Sequence, residues 1–340
     1  MSKAAELANL IGNINAVGGG VNRNVVINGN MSVAQRATSA TGIGSATGYN
    51  VCDRWVVGGS STDGRLTLSQ DSSAPSGFAN SLKFDCTTAD TSIASGEALN
   101  IQHRFEGQNL QAFAKGTSDA KPFALSFYVK GNASATYVAE LYDNDNTRQI
   151  SKTFNVTTDW TRVELTYPAD TTGAFDDDNA LSLYLLIWLH GGSNYTSGTL
   201  NSSSWASVTT ANRAVGISSF FDSTDRTFFI TGVQLEVGQN PTEFEHEPFE
   251  RTLAECQRYF YKENYSSTGP YSCQYSSTHR FVHQFHPVEM RTAPTSTFTM
   301  NVSGYTAYHP TKLHFKAYGA IAYDQSSGHH LETFQADAEL

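Results

Sequence analysis

The chain has 340 residues, of which 39% are hydrophobic, 12% aromatic and only 16% charged, enough for about two domains with cores of their own, which excludes a disulfide-stapled miniprotein. So small a share of charge, against roughly 25% in an average globular protein, leaves the surface to Ser, Thr, Asn and Gly and favours short strands over long solvent-exposed helices. The formal net charge of -10 argues against a nucleic-acid partner, because affinity for a phosphate backbone depends on Lys and Arg.

In chain order, residues 3–17 place Leu7, Leu10, Ile14 and Val17 at alternating spacings of three and four, the seam of a coiled coil or of one amphipathic helix. Gly18, Gly19 and Gly20 then stop it. Two heptads are marginal alone, so this helix must pack either on its own domain or on another chain, as a self-associating bundle or an insert into a partner.

From Asn24 onward the pattern turns to alternation and β-branched or aromatic runs between Gly, Asn, Asp and Ser clusters. The expected strands are NVVIN, RWVVG, RLTLSQ, SLKFDC, ALNIQHRF, FALSFYVKG, TYVAELY, QISKTFNV, RVELTY, LSLYLLIWLH and RTFFITGVQLEVG. Many short strands with little helix between them predict an antiparallel sandwich. The stretch EFEHEPFERTLAECQRYFYKEN reads as one later helix beginning after Pro248. Beyond it CQYSS, RFVHQFH, STFTMNV, YTAYH, KLHFKAYGAIAY and LETFQ predict a second, smaller β domain. Charge divides at the same place: residues 1–250 hold 15 Lys+Arg and 25 Asp+Glu, whereas residues 251–340 hold 7 of each and seven of the ten histidines. The expected divisions are therefore 1–23, 24–248 and 249–340.

No fixed-period repeat marks a solenoid or propeller. Met1 opens onto a polar, helix-like stretch and not a secretory leader, so Cys52, Cys86, Cys256 and Cys273 are expected as free thiols, with a Cys52–Cys86 pair across the sandwich as the alternative. The longest apolar stretch, LSLYLLIWLHGG, falls far short of the roughly 20 residues that span a bilayer, so no membrane-spanning segment is expected.

Catalytic signatures are missing: there is no GxSxG elbow, HExxH pair or P-loop lysine motif, and no catalytic residue is assigned. The acidic groups at Asp143, Asn144, Asp145 and Asn146 and at Asp176, Asp177 and Asp178 read either as solvated turns or as oxygen ligands of a structural calcium, no other cofactor being expected. In the His-rich tail, His279 and His283 alternate onto one face of a strand and His286 onto the other, so the run offers at most a pair of metal ligands, which a trimer would triple. The same histidines predict a C-terminal domain that turns positive below roughly pH 6.

Aromatic residues are the remaining candidates. In LSLYLLIWLHGGSNY one face carries Leu181, Leu183, Leu185, Ile187 and Leu189 and the other Tyr184, Leu186, Trp188 and His190. One face is core; the second is a subunit interface, a sugar platform or another core layer, with Tyr184, Trp188 and Tyr195 as the rings concerned. Trp55, Trp160 and Trp205 are expected to fill the core. In the second domain Tyr271, Tyr275, His279 and His283 are candidate recognition residues.

The segments NVVINGNMSVAQR, GYNVCDRW, FALSFYVKG, ITGVQLEVGQNPTEFEHEPFERTLAECQRYFYK and HPVEMRTAPT together resemble tail fibre and other virion structural proteins of tailed bacteriophages, over roughly residues 24–295. Tyr128 stands where a Trp is common there, and Glu247 where a basic residue often follows. The resemblance implies a mainly β protein: a carbohydrate-binding-module-like jelly-roll sandwich, a linking helix and a smaller C-terminal β-sandwich, assembled as a trimeric fibre. It also implies an N-terminus that anchors on a tail tube or adaptor (nozzle) protein and β domains that meet a host surface glycan or outer-membrane receptor, in the tail of the virion. A connector or decoration subunit touching only other phage proteins, and a polysaccharide-cleaving tail enzyme, are the alternatives.

Overall fold

The computed structural model describes residues 3–5, 22–265, 269–276, 278–320 and 328–340. The expected helix carrying Leu7, Leu10, Ile14 and Val17 falls outside these residues. The chain divides into two compact units between Glu247 and Pro248.

The first unit is an antiparallel sandwich. Its strands are β1 (Ser39–Ile43), β2 (Gly48–Tyr49), β3 (Trp55–Ser60), β4 (Arg65–Asp71), β5 (Ser81–Thr88), β6 (Ala98–Glu106), β7 (Phe123–Gly131), β8 (Ala135–Asp143), β9 (Arg148–Val156), β10 (Thr161–Tyr167), β11 (Leu181–Gly191), β12 (Ala206–Ser207) and β13 (Thr227–Val237). One sheet has the order β1-β4-β5-β13-β7-β10 and the other β12-β9-β8-β11-β6-β3-β2. Alternation fixes which side each strand buries. Phe123, Leu125, Phe127 and Val129 of β7 face Leu183, Leu185, Ile187 and Leu189 of β11 in one apolar core. Each such side chain stabilises the fold by roughly 1.5–3 kcal/mol. Trp55 and Trp205 fill this core as expected, but Trp160 lies half-buried against Phe229.

The segment Asn24–Asn28 is not the expected strand. Side chains take over the backbone's hydrogen bonds: Asn24 Oδ1 accepts from the N–H groups of Val26 and Leu235, and Asn28 clasps Val33 with both its amide atoms. Asn28 has a positive φ of 58° and Gly29 packs so closely on the Val233 carbonyl that a Cβ would collide with it. The loop is closed by Glu245, in the segment after β13, whose two oxygens accept from the backbone N–H groups of Asn22, Arg23 and Asn24 at 2.8, 2.7 and 3.0 Å. Gln234 and Glu236, both fully buried, complete the clasp by binding Thr242 and the backbone at Glu243 and Glu245.

In the second unit the helix runs over Phe249–Gln257 and stops sooner than its sequence suggests. Tyr259, Phe260 and Tyr261 are all buried, and burying consecutive aromatic residues on opposite faces suits a strand, not a helix. Phe260–Asn264 forms β14, paired with β20 (Leu331–Asp337), which also pairs with β17 (Thr295–Met300). A four-stranded sheet orders β15 (Cys273–Ser276), β16 (His279–Phe285), β19 (His314–Gly319) and β18 (Tyr305–Tyr308) as β15-β16-β19-β18. Both small sheets share a core of Tyr261, Val282, Phe315, Leu331 and Phe334.

All four cysteines are free, so the alternative pairing of Cys52 with Cys86 does not form. Burial pushes the Cys86 thiol up to about 11.

Candidate functional site

The outward face of the seven-stranded sheet carries a groove of about 320 Å³ lined by fifteen residues, from Thr47 in the loop before β2 to Arg213 after β12. Its floor follows from the sheet order. Residues that alternate away from the core on β6, β11 and β8 become neighbours because these strands are hydrogen-bonded side by side: Tyr184 pairs with Arg104 on one flank and Tyr142 on the other.

β6 supplies a polar ladder. Arg104 donates from Nε and Nη2 to Gln102 Oε1 at 3.1 and 2.9 Å, and Gln102 Nε2 donates to Asn100 Oδ1 at 2.8 Å. Gly58 on the adjacent β3 leaves room for it, since a Cβ there would collide with both amides. The Arg104 guanidinium lies 5.5 Å from the Tyr184 ring centre and 5.8 Å from that of Tyr49.

β8, β11 and the helical turn Ser193–Thr196 that follows β11 supply the aromatic part. Tyr142 and Tyr184 meet edge to face at 5.7 Å, and Trp188 and Tyr195 at 5.0 Å. Arg213 spans Tyr142 and Trp188, 4.9 and 5.1 Å from their ring centres. Beneath it the fully buried Glu140 accepts from Arg213 Nε at 2.9 Å, from Nη2 at 3.0 Å and from the Trp188 indole N–H at 2.7 Å. The buried carboxylate thus has a charge partner and directed donors, which its place in an apolar sheet face demands.

Of the three rings that the sequence singles out here, all line this groove, but in different roles. Tyr184 and Tyr195 are half-buried, whereas Trp188 is only 2% exposed and acts as floor. His190 is absent from the lining because a register shift between Trp188 and His190 turns it away. It joins Glu97 (Nε2 to Oε2, 3.0 Å) and Ser219 (Nδ1 to Oγ, 2.8 Å) instead. Asp90, Glu97 and His190 place one ligand atom each within 4.8 Å of one another, a set that could hold a metal ion. Their oxygens already accept from the Thr62 hydroxyl and from the backbone N–H groups of Asp63 and Ala94, so the cluster also serves to fold the loop before β6.

The acidic groups considered for calcium are differently engaged. Asp143 accepts from Lys115 Nζ and Asn146, Asp145 from the Asp176 N–H, and Asp178 from the Ala180 N–H. These are turn and ion-pair roles.

In the second unit His279 and His283 share the outward face of β16, with His279 stacked on Tyr318 at 5.0 Å and His283 edge-on to His314 at 4.8 Å. Tyr271 is 61% exposed and bridges to His330. Tyr275 lies on β15, and its side chain is outside what is described. Phe281, Tyr308, Lys316 and Tyr318 border a second hollow on the same sheet, of about 540 Å³. Burial, with His314 and Lys316 close by, lowers the pKa of His283, and burial lowers that of His286. These two protonate only below the ordinary histidine range, so the expected gain of positive charge in this unit near pH 6 is smaller than its seven histidines would otherwise give.

No family model matches the chain, and no curated protein does. Among solved structures, it is similar to a family 4 carbohydrate-binding module (TM-score 0.34, 11% identity, 62% of this chain and 99% of that one). It is also similar to a family 61 module solved with β-1,4-galactotriose (TM-score 0.33, 9% identity, 63% of this chain and 99% of that one). A third likeness is to the enzymatically active domain of tailspike protein 4 of bacteriophage CBA120 (TM-score 0.33, 12% identity), spanning 63% of this chain and 21% of that one.

Proposed function

We propose that the chain recognises a glycan in the groove of the seven-stranded sheet, as a non-enzymatic subunit of a tailed-phage fibre. One observation carries the glycan reading: the same strands that build the core place Tyr142 and Tyr184 beside an amide and guanidinium ladder on the opposite, outward face, and the short helical turn Ser193–Thr196 after β11 adds Tyr195. Ring faces and edges cover the apolar C–H patches of a sugar while amides and guanidinium groups satisfy its hydroxyls, and a purely internal surface would have no use for that ladder. The described lining contains no Asp or Glu, so two-carboxylate glycoside hydrolysis lacks its acid and base there.

The virion setting is supported by the sequence segments quoted above. In this reading the chain forms a homotrimer, docks through residues 1–23 on a tail tube or adaptor protein, and turns its β domains to the host glycan or outer-membrane receptor.

Affinity electrophoresis through a panel of bacterial and plant polysaccharides tests the groove. Tyr184→Ala should weaken retention by about tenfold, the value of one buried ring edge of roughly 1.5 kcal/mol, without shifting the thermal transition by more than a few degrees. Retention that is unchanged in this variant would remove the groove from recognition. Light scattering should give three times the chain mass of 37.0 kDa, and a monomer mass sinks the trimer.

A further inference from the structure

We propose that Asp90, Glu97 and His190 bind a divalent transition-metal ion, Zn²⁺ or Mn²⁺, at one end of the seven-stranded sheet. The inference is independent of the glycan reading, since none of the three residues lines the groove.

The sheet brings the three together from distant parts of the chain. Asp90 follows β5, Glu97 directly precedes β6, and His190 lies near the end of β11. β6 and β11 are paired, and the register shift between Trp188 and His190 turns the imidazole towards Glu97. Asp90 and Glu97 are 5% and 4% exposed, and His190 has no exposure.

Their charges do not cancel. Among the described residues the donors to Asp90 are the Thr62 hydroxyl and the N–H groups of Asp63 and Ser92, and the partners of the Glu97 carboxylate are the Ala94 N–H and His190. None of these is a Lys or Arg. Even a protonated imidazole would leave one negative charge buried in the cluster, at a high desolvation cost. A divalent ion held by two carboxylates and a neutral imidazole leaves none.

The geometry suits such an ion. His190 Nε2 and Glu97 Oε2 lie 3.0 Å apart, close to the separation of neighbouring ligands on an ion bound at roughly 2.0–2.2 Å. Ser219 Oγ, which accepts from the Phe221 N–H at 3.1 Å, sits 2.8 Å from His190 Nδ1 and orients the ring. With the proton on Nδ1 and donated to that hydroxyl, the Nε2 lone pair faces the carboxylates, the arrangement of a metal-bound histidine. A nitrogen ligand beside two oxygens favours Zn²⁺ or Mn²⁺ over Ca²⁺ and Mg²⁺, which take oxygen ligands.

An ion here acts on the groove at one remove. The Glu97 carbonyl accepts from the Gly192 N–H at 2.9 Å and the Ser95 carbonyl from the Asn194 N–H at 3.0 Å. The loop before β6 therefore carries the turn Ser193–Thr196, from which Tyr195 reaches the groove.

Calorimetric titration of Zn²⁺, Mn²⁺ and Ca²⁺ into the full chain, stripped beforehand with a chelator, tests the site alongside thermal unfolding. One Zn²⁺ or Mn²⁺ per chain is expected at this site, with a transition about 5–10 °C higher once the ion exceeds its dissociation constant about a hundredfold. Glu97→Gln keeps an acceptor for the Ala94 N–H and removes one charge. It should raise the transition of the stripped chain, by relieving the two carboxylates, and lower ion affinity about a hundredfold or more, beyond the cost of losing an outer partner of a metal ligand. Ion uptake that is equal in Glu97→Gln assigns the ion to the histidines of the second unit and overturns the proposal. A response to Ca²⁺ alone overturns it too, and so does no response to any ion, which leaves a proton shared between the carboxylates. Should Glu97→Gln fail to fold, Asp90→Asn is read in the same way.

Discussion

Replacing Lys115 by Met is expected to destabilise the sandwich by about 3–5 kcal/mol, a large part of the 5–15 kcal/mol typical of a domain. The Lys115 side chain has no exposure, and its Nζ donates to Asp143 Oδ2 at 2.5 Å and to the carbonyl oxygens of Thr172 and Gly173 at 3.0 and 2.7 Å, with Asp170 Oδ2 at 3.2 Å. The rings of Phe175 and Trp205 lie 5.2 and 5.4 Å from the ammonium. Met fills the volume but leaves two buried carboxylates facing each other, with Arg148 as the remaining cation beside Asp170. The expected cost is thus that of stranded charge and not of lost packing.

Acid changes the size of this effect in a defined direction. Burial pushes the Asp170 carboxyl up, but the Arg148 fork, the Thr172 N–H and Lys115 outweigh it and hold the group below its usual value. A folded-state value below the unfolded one stabilises the protein above about pH 4 and is lost as pH falls through the folded value. Lys115→Met removes one of the groups that hold Asp170 low, so the difference between variant and native chain should be largest near neutrality and shrink in acid. Denaturant titrations at neutral pH and near pH 3.5 check both statements. A difference under 1 kcal/mol at neutrality, or one that widens in acid, would falsify this account of the network.

Glu140→Leu is expected to remove ligand binding altogether and to cost about 1–3 kcal/mol of stability, the penalty for a buried donor left without an acceptor. The donor in question is the Trp188 indole N–H, which has Glu140 Oε2 as its acceptor. Arg213 is half-buried and can swing towards water, which limits the stability loss but dismantles the plate that it forms over Tyr142 and Trp188. Calorimetric titration alongside thermal unfolding separates the two consequences. Binding that survives in a destabilised Glu140→Leu variant would mean that the carboxylate serves the fold and not the groove.

Much of the sandwich is legible from alternation alone. FALSFYVKG and LSLYLLIWLH announce β7 and β11 because each has a continuous apolar face four residues long, and only a pleated strand with one side in a core uses such a face. The failures have local causes. NVVIN has strand-forming residues, but Asn24 and Asn28 bracket it and their amides replace the ladder, an outcome that propensity does not register. The helix after Pro248 ends where buried aromatics begin to alternate, a tertiary demand read only from the pairing with β20.

The groove is half legible. Tyr184, Trp188 and Tyr195 stand out because they lie opposite or just beyond a clearly buried face. Asn100, Gln102 and Arg104 alternate just as cleanly against Leu99, Ile101, His103 and Phe105 on β6, and that polar face is a signal available in the sequence. What no local pattern could supply is the sheet order β8-β11-β6-β3, which makes neighbours of residues up to about a hundred positions apart, nor the arrival of Arg213 from the loop after β12. The segments that carry the resemblance to fibre proteins contribute almost nothing to the groove. NVVINGN, QLE and the EFE following them build the clasp at Glu245, which is a scaffold role.

That clasp also decides where a mechanical load on the chain is borne. Because residues 22–24 are bonded to Glu245, and Val25 N–H donates to the Leu235 carbonyl at 3.0 Å, the chain enters and leaves the sandwich at one point. Tension transmitted along the backbone crosses these few bonds between residues 22–25 and Leu235 and Glu245 and does not run through β6, β8 or β11. The groove therefore lies beside the line of force, and its wall stays unstrained while the chain around it is pulled.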